Sequence, residues 1–169
     1  MEIYEAIMTR RSVRDFRSDP VGDEEIEKLL RAGMQAPSSK NERPWHFVVI
    51  DDPEVLHQIP EFHRNAQMLK YAPLAILICS DRKLESKRAT WIQDCAAATE
   101  NILLAAHGLG LGGVWLGVFP DADRVHGMQD LLGLPSDVRP VSMVAIGYPA
   151  LKPEPVSRFD RKRVHLNRW

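Results

Sequence analysis

Two stretches of this chain, LAILIC at 74–79 and PVSMVAIGY at 140–148, hold no charged residue and no regular alternation of polar with apolar positions. A strand with one wet face alternates, so runs like these belong to strands covered on both faces. Between them lies the longest helical pattern, 88–111. Ile92, Cys95, Ala96, Thr99, Ile102, Leu103 and Ala106 fall along one side, and Trp91, Ala97, Ala98, Leu104 and Ala105 extend the apolar surface to others. A helix apolar most of the way round sits deep in one core or between two subunits. Together these segments predict an α/β or α+β sandwich of about four strands, with the 169 residues forming one domain, 1–169.

The remaining pattern alternates helix with strand. Residues 1–9 read as a short amphipathic helix. Asp23 is an N-cap candidate ahead of Ile26, Leu29, Leu30 and Met34 at helical spacing, and Pro37 stops that helix. WHFVVI at 45–50 reads as a strand; Asp51-Asp52-Pro53 opens a helix whose pattern continues through 62–70. Gly108, Gly110, Gly112 and Gly113 end the long helix, and Gly112-Gly113 is expected to form its C-cap and the turn after it. A strand at 113–119 and a helix at 121–132 ending on Gly133 follow. The last 20 residues carry no core pattern, so the tail, 150–169, is expected to wrap a neighbour rather than bury itself.

A net charge of −1 and a pI near 6.6 argue against nucleic acid as a partner. The basic residues are concentrated at 10–17 and 158–168, either as two solvated faces or as two ends converging on one anion. Cys79 and Cys95 read as plain buried thiols without metal spacing. Glu2 and Glu5 stand where a secretory leader would be apolar, and no run approaches the ~18 residues of a membrane span. A cytoplasmic location and no membrane partner are expected. No GxSxG, HExxH, CxxC or P-loop pattern occurs, and the histidines show no ligand spacing, so no metal is expected. His107 reads as a satisfied core or interface residue and His57 and His63 as solvent-facing; the tryptophans read chiefly as packing.

Three segments carry candidate chemistry. Arg10-Arg11-Ser12-Val13-Arg14 places three guanidiniums and a hydroxyl within five residues. Such charges repel unless an anion sits among them, and the planar guanidinium fork matches phosphate oxygens. PSSKNERPW at 37–45 places two hydroxyls and an amide in a loop stiffened by Pro37 and Pro44, groups able to hydrogen-bond a polar heterocycle. Trp115-Leu116-Gly117 closes a strand, and the missing side chain of Gly117 lets backbone approach a ring closely.

Over nearly its whole length the sequence resembles the nitroreductase family of FMN-dependent oxidoreductases. The resemblance is carried by IYEAIMTRRSVRDF, GMQAPSSKNERPWHFVVI, DCAAATENILLAAHGLGLGGVWLG, VAIGYP and SRFDRKRVHLNRW, with the arginine and serine motifs about two dozen residues apart. It implies a three-layer α+β sandwich with a central, mainly antiparallel or mixed sheet of four to five strands, in a homodimer whose termini embrace the partner and whose FMN lies at the interface. It further implies that Arg10, Arg11, Ser12 and Arg14 hold the FMN phosphate and ribityl chain, with Arg158 completing the phosphate site. Pro37, Ser38, Ser39 and Asn41 would reach the same flavin from the other subunit. Trp115, Leu116 and Gly117 would line the ring, with a backbone N–H near N5; Asn65 and Gln67 are candidates for a polar contact from the segment before the second strand. The implied activity is hydride transfer from NAD(P)H through flavin N5 to a small electrophile, a nitroaromatic or quinone, in ping-pong order, with no catalytic side chain named. Dehalogenation, heterocycle oxidation and a non-enzymatic flavin-binding dimer stay open as alternatives. The chain is short for the family and leaves little room for helices over the flavin.

Overall fold

The computed structural model describes residues 1–85 and 89–169. Four strands, β1 (Trp45–Ile50), β2 (Leu74–Asp81), β3 (Gly112–Gly117) and β4 (Val138–Gly147), form one antiparallel sheet in the order β1-β2-β4-β3. Among the described residues five α-helices accompany it: α1 (Ile3–Thr9), α2 (Asp23–Met34), α3 (Pro53–Phe62), α4 (Trp91–Gly108) and α5 (Ala122–Leu132). The pleat explains the apolar runs. Leu74, Ile76 and Ile78 of β2 join Val144 and Ile146 of β4 on one face, against Leu29 of α2 and Cys95, Ala98 and Ile102 of α4. Ala75, Leu77 and Cys79 join Met143 and Ala145 on the other, against Leu56 and Ile59 of α3 and Met128 of α5. The result is the three-layer α+β architecture that the sequence predicts.

Several boundaries differ from expectation, each for a local reason. Residue 88, where the long helix was expected to begin, lies outside the described residues; α4 runs Trp91–Gly108, and Ile92 points outward. The chain leaves α4 at Leu109 and Gly110, whose φ of +80° lets the Leu111 amide donate back to the Ala106 carbonyl. Gly112 and Gly113 are therefore strand residues, not the cap. A Cβ on Gly112 would lie 2.7 Å from the Val13 side chain, so glycine here admits the N-terminal segment against the sheet. Ser12 bridges Gly113 in parallel, and the Val13 amide donates to the Gly113 carbonyl at 3.0 Å. Gly22 takes the N-cap position of α2, leaving Asp23, Glu24 and Glu25 in the first turn, where they complement the helix dipole. The expected helix through 62–70 breaks at His63 (φ −120°, ψ 83°) and resumes as a 3-10 segment, Arg64–Lys70.

Candidate functional site

The arginine cluster follows α1 directly. Arg10 leaves the helix in an extended conformation, and the next residues run along β3. The root of the tail is tied beside them: Arg17 donates its amide to the Tyr148 carbonyl at 2.8 Å, and Ala150 donates to the Asp15 carbonyl at 3.0 Å. The tail then returns Arg158 to the arginines. A cleft of about 380 Å³ is lined by Arg10, Arg11 and Arg158 on an apolar wall of Tyr4, Ile7, Met8, Val156 and Phe159. Arg10 is held by Glu100 (Nε to Oε1, 3.4 Å). Among the described residues neither Arg11 nor Arg158 has a carboxylate partner. Three guanidiniums facing one cleft with a single counter-charge make a site for an anion.

A second cleft, of about 350 Å³, is lined by Arg14, His63, Asn65, Met68, Trp115, Leu116, Gly117 and Arg124. Trp115 is 38 % exposed, while Trp45 and Trp91 are buried in the core. A Cβ on Gly117 would meet nothing within 4 Å, and Gly117 does not have a left-handed φ. Neither packing nor backbone geometry among the described residues calls for glycine there. The same segment, 10–14, thus reaches a cationic cleft at one end and a cleft walled in part by Trp115 at the other. Ser12 lies between them on the surface, bridged to Gly113.

Of the two candidates before β2, Asn65 lines the second cleft and Gln67 does not; the Gln67 amide instead donates to the Arg64 carbonyl. Pro37, Ser38, Ser39 and Asn41 line neither cleft of their own chain. Their loop is nevertheless built. Lys40, Asn41 and Arg43 all have positive φ, the Ser38 hydroxyl accepts from the Arg43 amide at 3.0 Å, and the Ser39 amide donates to Asp94 Oδ1 at 2.9 Å.

His63, expected to face solvent, is 1 % exposed. The break before the 3-10 segment turns it inward, where Nε2 lies 2.9 Å from the Gly117 carbonyl oxygen. Burial lowers its pKa, and the Arg124 charge lowers it further, against the pull of the Gly117 carbonyl. Arg124 was also unforeseen. It donates from Nη1 to the same carbonyl at 2.9 Å and pairs through Nε with Asp121, the N-cap of α5. His57 is exposed as expected. His107 Nε2 meets Thr9 Oγ1 at 2.8 Å, and because Thr9 spends its one proton on the Glu5 carbonyl, the imidazole is the donor. The thiols of Cys79 and Cys95 are buried and their pKa values are pushed up to about 12 by desolvation, which keeps both protonated and inert. Among the described residues no helix is long and apolar enough to cross a membrane.

The nitroreductase family model matches residues 7–65 and 61–148. A protein of Methanothermobacter thermautotrophicus named "Putative NADH dehydrogenase/NAD(P)H nitroreductase" is 48 % identical over 169 residues, covering 100 % of this chain and 88 % of its own. A solved structure bearing the same name, from Parabacteroides distasonis, superposes with a TM-score of 0.95 at 40 % identity, covering 99 % of this chain and 98 % of that one. An FMN-dependent nitroreductase from Clostridium difficile superposes with a TM-score of 0.91 at 32 % identity, covering 98 % and 99 %.

Proposed function

This chain belongs to the nitroreductase family, and from that premise we propose that it is an FMN-dependent oxidoreductase, drawing electrons from NAD(P)H and delivering them to a small electrophile of nitroaromatic or quinone type. The observation that carries the reading is the pair of clefts joined by one short segment. The cationic cleft at Arg10, Arg11 and Arg158 fits a phosphate, and the cleft over Trp115 and Gly117 fits a flat ring. A phosphorylated, ring-bearing molecule matches both ends at once. When bound, FMN supplies the redox chemistry, as acceptor of a hydride and donor to the second substrate.

The chain's own residues bind and orient. Arg10, Arg11 and Arg158, with the Ser12 hydroxyl between the clefts, hold the anionic end. Arg14 stands at the second cleft, where its charge favours electron-rich forms of the ring. Leu116 and Trp115 wall the ring site, Gly117 gives it backbone without a side chain, and Asn65 adds a polar contact. Hydride transfer depends on donor and acceptor atoms held about 3–3.5 Å apart, and a rigid strand end suits that task.

Pro37, Ser38, Ser39 and Asn41 stand apart from both clefts of their own subunit, so their part in the site is taken from a second copy. Exposed apolar surface supports that assembly. Ile3, Tyr4, Ile7 and Met8 of α1 and Phe159, Leu166 and Trp169 of the tail all face outward in the single chain. We place the enzyme in the cytoplasm, with a homodimer as its working form.

The test is anaerobic titration of the purified yellow protein with NADH and with NADPH, followed by a quinone or nitroaromatic. Bleaching by a nicotinamide and recovery of colour with the acceptor support the proposal. Bleaching only by a strong chemical reductant would identify a flavin-binding module instead.

A further inference from the structure

Gly117 presents a physical problem at the centre of the site. Glycine loses more conformational freedom on folding than any other residue. Here no neighbouring atom lies within 4 Å of where a side chain would begin. Left to itself, the end of β3 would be loose where a bound ring needs a fixed wall.

Two donors from separate elements meet that problem. A carbonyl oxygen offers two lone pairs, and both are occupied at Gly117: one by His63 Nε2, at the junction after α3, and one by Arg124 Nη1, in the first turn of α5, each at 2.9 Å. The peptide's other side is fixed as well, because the Val118 amide donates to the Val141 carbonyl at 3.1 Å. Both donors are themselves held. The His63 amide donates to the Ile59 carbonyl at 3.0 Å, and its carbonyl accepts from Ala66 at 2.8 Å. Asp121 accepts from Arg124 Nε and also from the Arg124 amide, through its two oxygens.

His63 carries a cost that packing alone does not explain. A carbonyl only accepts, so the ring is the Nε2–H tautomer, and its buried Nδ1 lone pair has no hydrogen-bond partner among the described residues. A leucine would fill this position without an orphan acceptor. The hydrogen bond to Gly117 is what the imidazole adds.

We propose that His63 and Arg124 are positioning residues that clamp the Gly117 carbonyl and so hold the cofactor-facing backbone of β3 in its binding orientation. The clamp rests on the FMN site proposed above, and its test separates the two. FMN is titrated into the flavin-free wild type and into His63→Leu, His63→Gln and Arg124→Met variants, with affinity read from flavin fluorescence and folding from the thermal midpoint of the flavin-free protein. His63→Leu is expected to keep or raise that midpoint while weakening FMN binding about tenfold, the worth of one net hydrogen bond. His63→Gln retains a donor in reach of the carbonyl and should recover affinity to within about threefold of wild type. Arg124→Met, altered at the surface, should lose a similar factor and decides the matter if His63→Leu does not fold. Wild-type uptake of FMN with unchanged affinity in His63→Leu and Arg124→Met would overturn the clamp alone, as would a loss that His63→Gln fails to restore. Wild-type protein that takes up no FMN would overturn both the clamp and the proposed function.

Discussion

Arg11 and Gly117 make opposite demands on a binding site, one for charge and one for space. Among the described residues Arg11 has no carboxylate partner, so Arg11→Ala removes a cation without stranding an anion. A charge-assisted bond is worth about 1.5–3 kcal/mol, so FMN affinity should fall roughly tenfold to a hundredfold in a fluorescence titration, with the thermal midpoint unchanged. Unchanged affinity would count against a phosphate at that cleft. Gly117→Ala adds a methyl where the chain itself has open space. It should fold normally yet bind FMN at least about tenfold more weakly, because the added carbon occupies the ring's place. His63 makes stability depend on pH. Its pKa is lowered from the ordinary 6.5, so just below that pH the unfolded chain binds the extra proton and the folded one resists it. Stability is complete above about pH 6.5 and declines as pH falls, until the folded imidazole protonates too. His63→Gln should flatten that slope in thermal melts. His107 is shifted in the same direction by its own burial, so part of the slope should remain. Trp115 and Asn65 came forward only through the family resemblance, which offered Gln67 on the same footing, whereas the arginine cluster and the strand-end Gly117 were legible in residue type and position. His63 and Arg124 were not. Pro60 lies in the last turn of α3 without fixing which residue the break turns inward, and Arg124 looks like any charge on an exposed helix until the fold aims it at Gly117.

At the scale of elements, the contact between α4 and the sheet is the part most exposed to small chemical changes. Thr99 and Ser142 are buried opposite each other, Oγ to Oγ 2.7 Å, and Thr99 also donates to the Cys95 carbonyl. Thr99→Val keeps the shape but leaves the Ser142 hydroxyl buried and unpaired. It should destabilise the fold by about 1–3 kcal/mol in denaturant unfolding, with the slope of the transition unchanged. The apolar runs that became β2 and β4 could be read in advance because burial on both faces leaves no other composition open to a strand. Gly112 and Gly113 could not be told from a cap, since glycine serves a turn and a close approach equally well. Only the Val13 side chain, distant in sequence and 2.7 Å from a would-be Cβ at Gly112, separates the two uses.

At the scale of the whole molecule, the single chain leaves apolar surface uncovered. Its core is closed, yet α1 and the tail turn large apolar side chains outward, and the serine loop is held in a strained conformation away from either cleft. A second copy would cover the first and give a use to the other. The tail's lack of any core pattern and the basic clusters at both ends were legible in the sequence, which offered two solvated faces or two ends converging on one anion; the fold brings Arg158 beside Arg10 and Arg11. The most direct measurement is light scattering with flavin absorbance recorded across the same chromatographic peak. Two chains eluting together with one FMN per chain is the predicted result. A colourless single chain that stays so after incubation with excess FMN would contradict it.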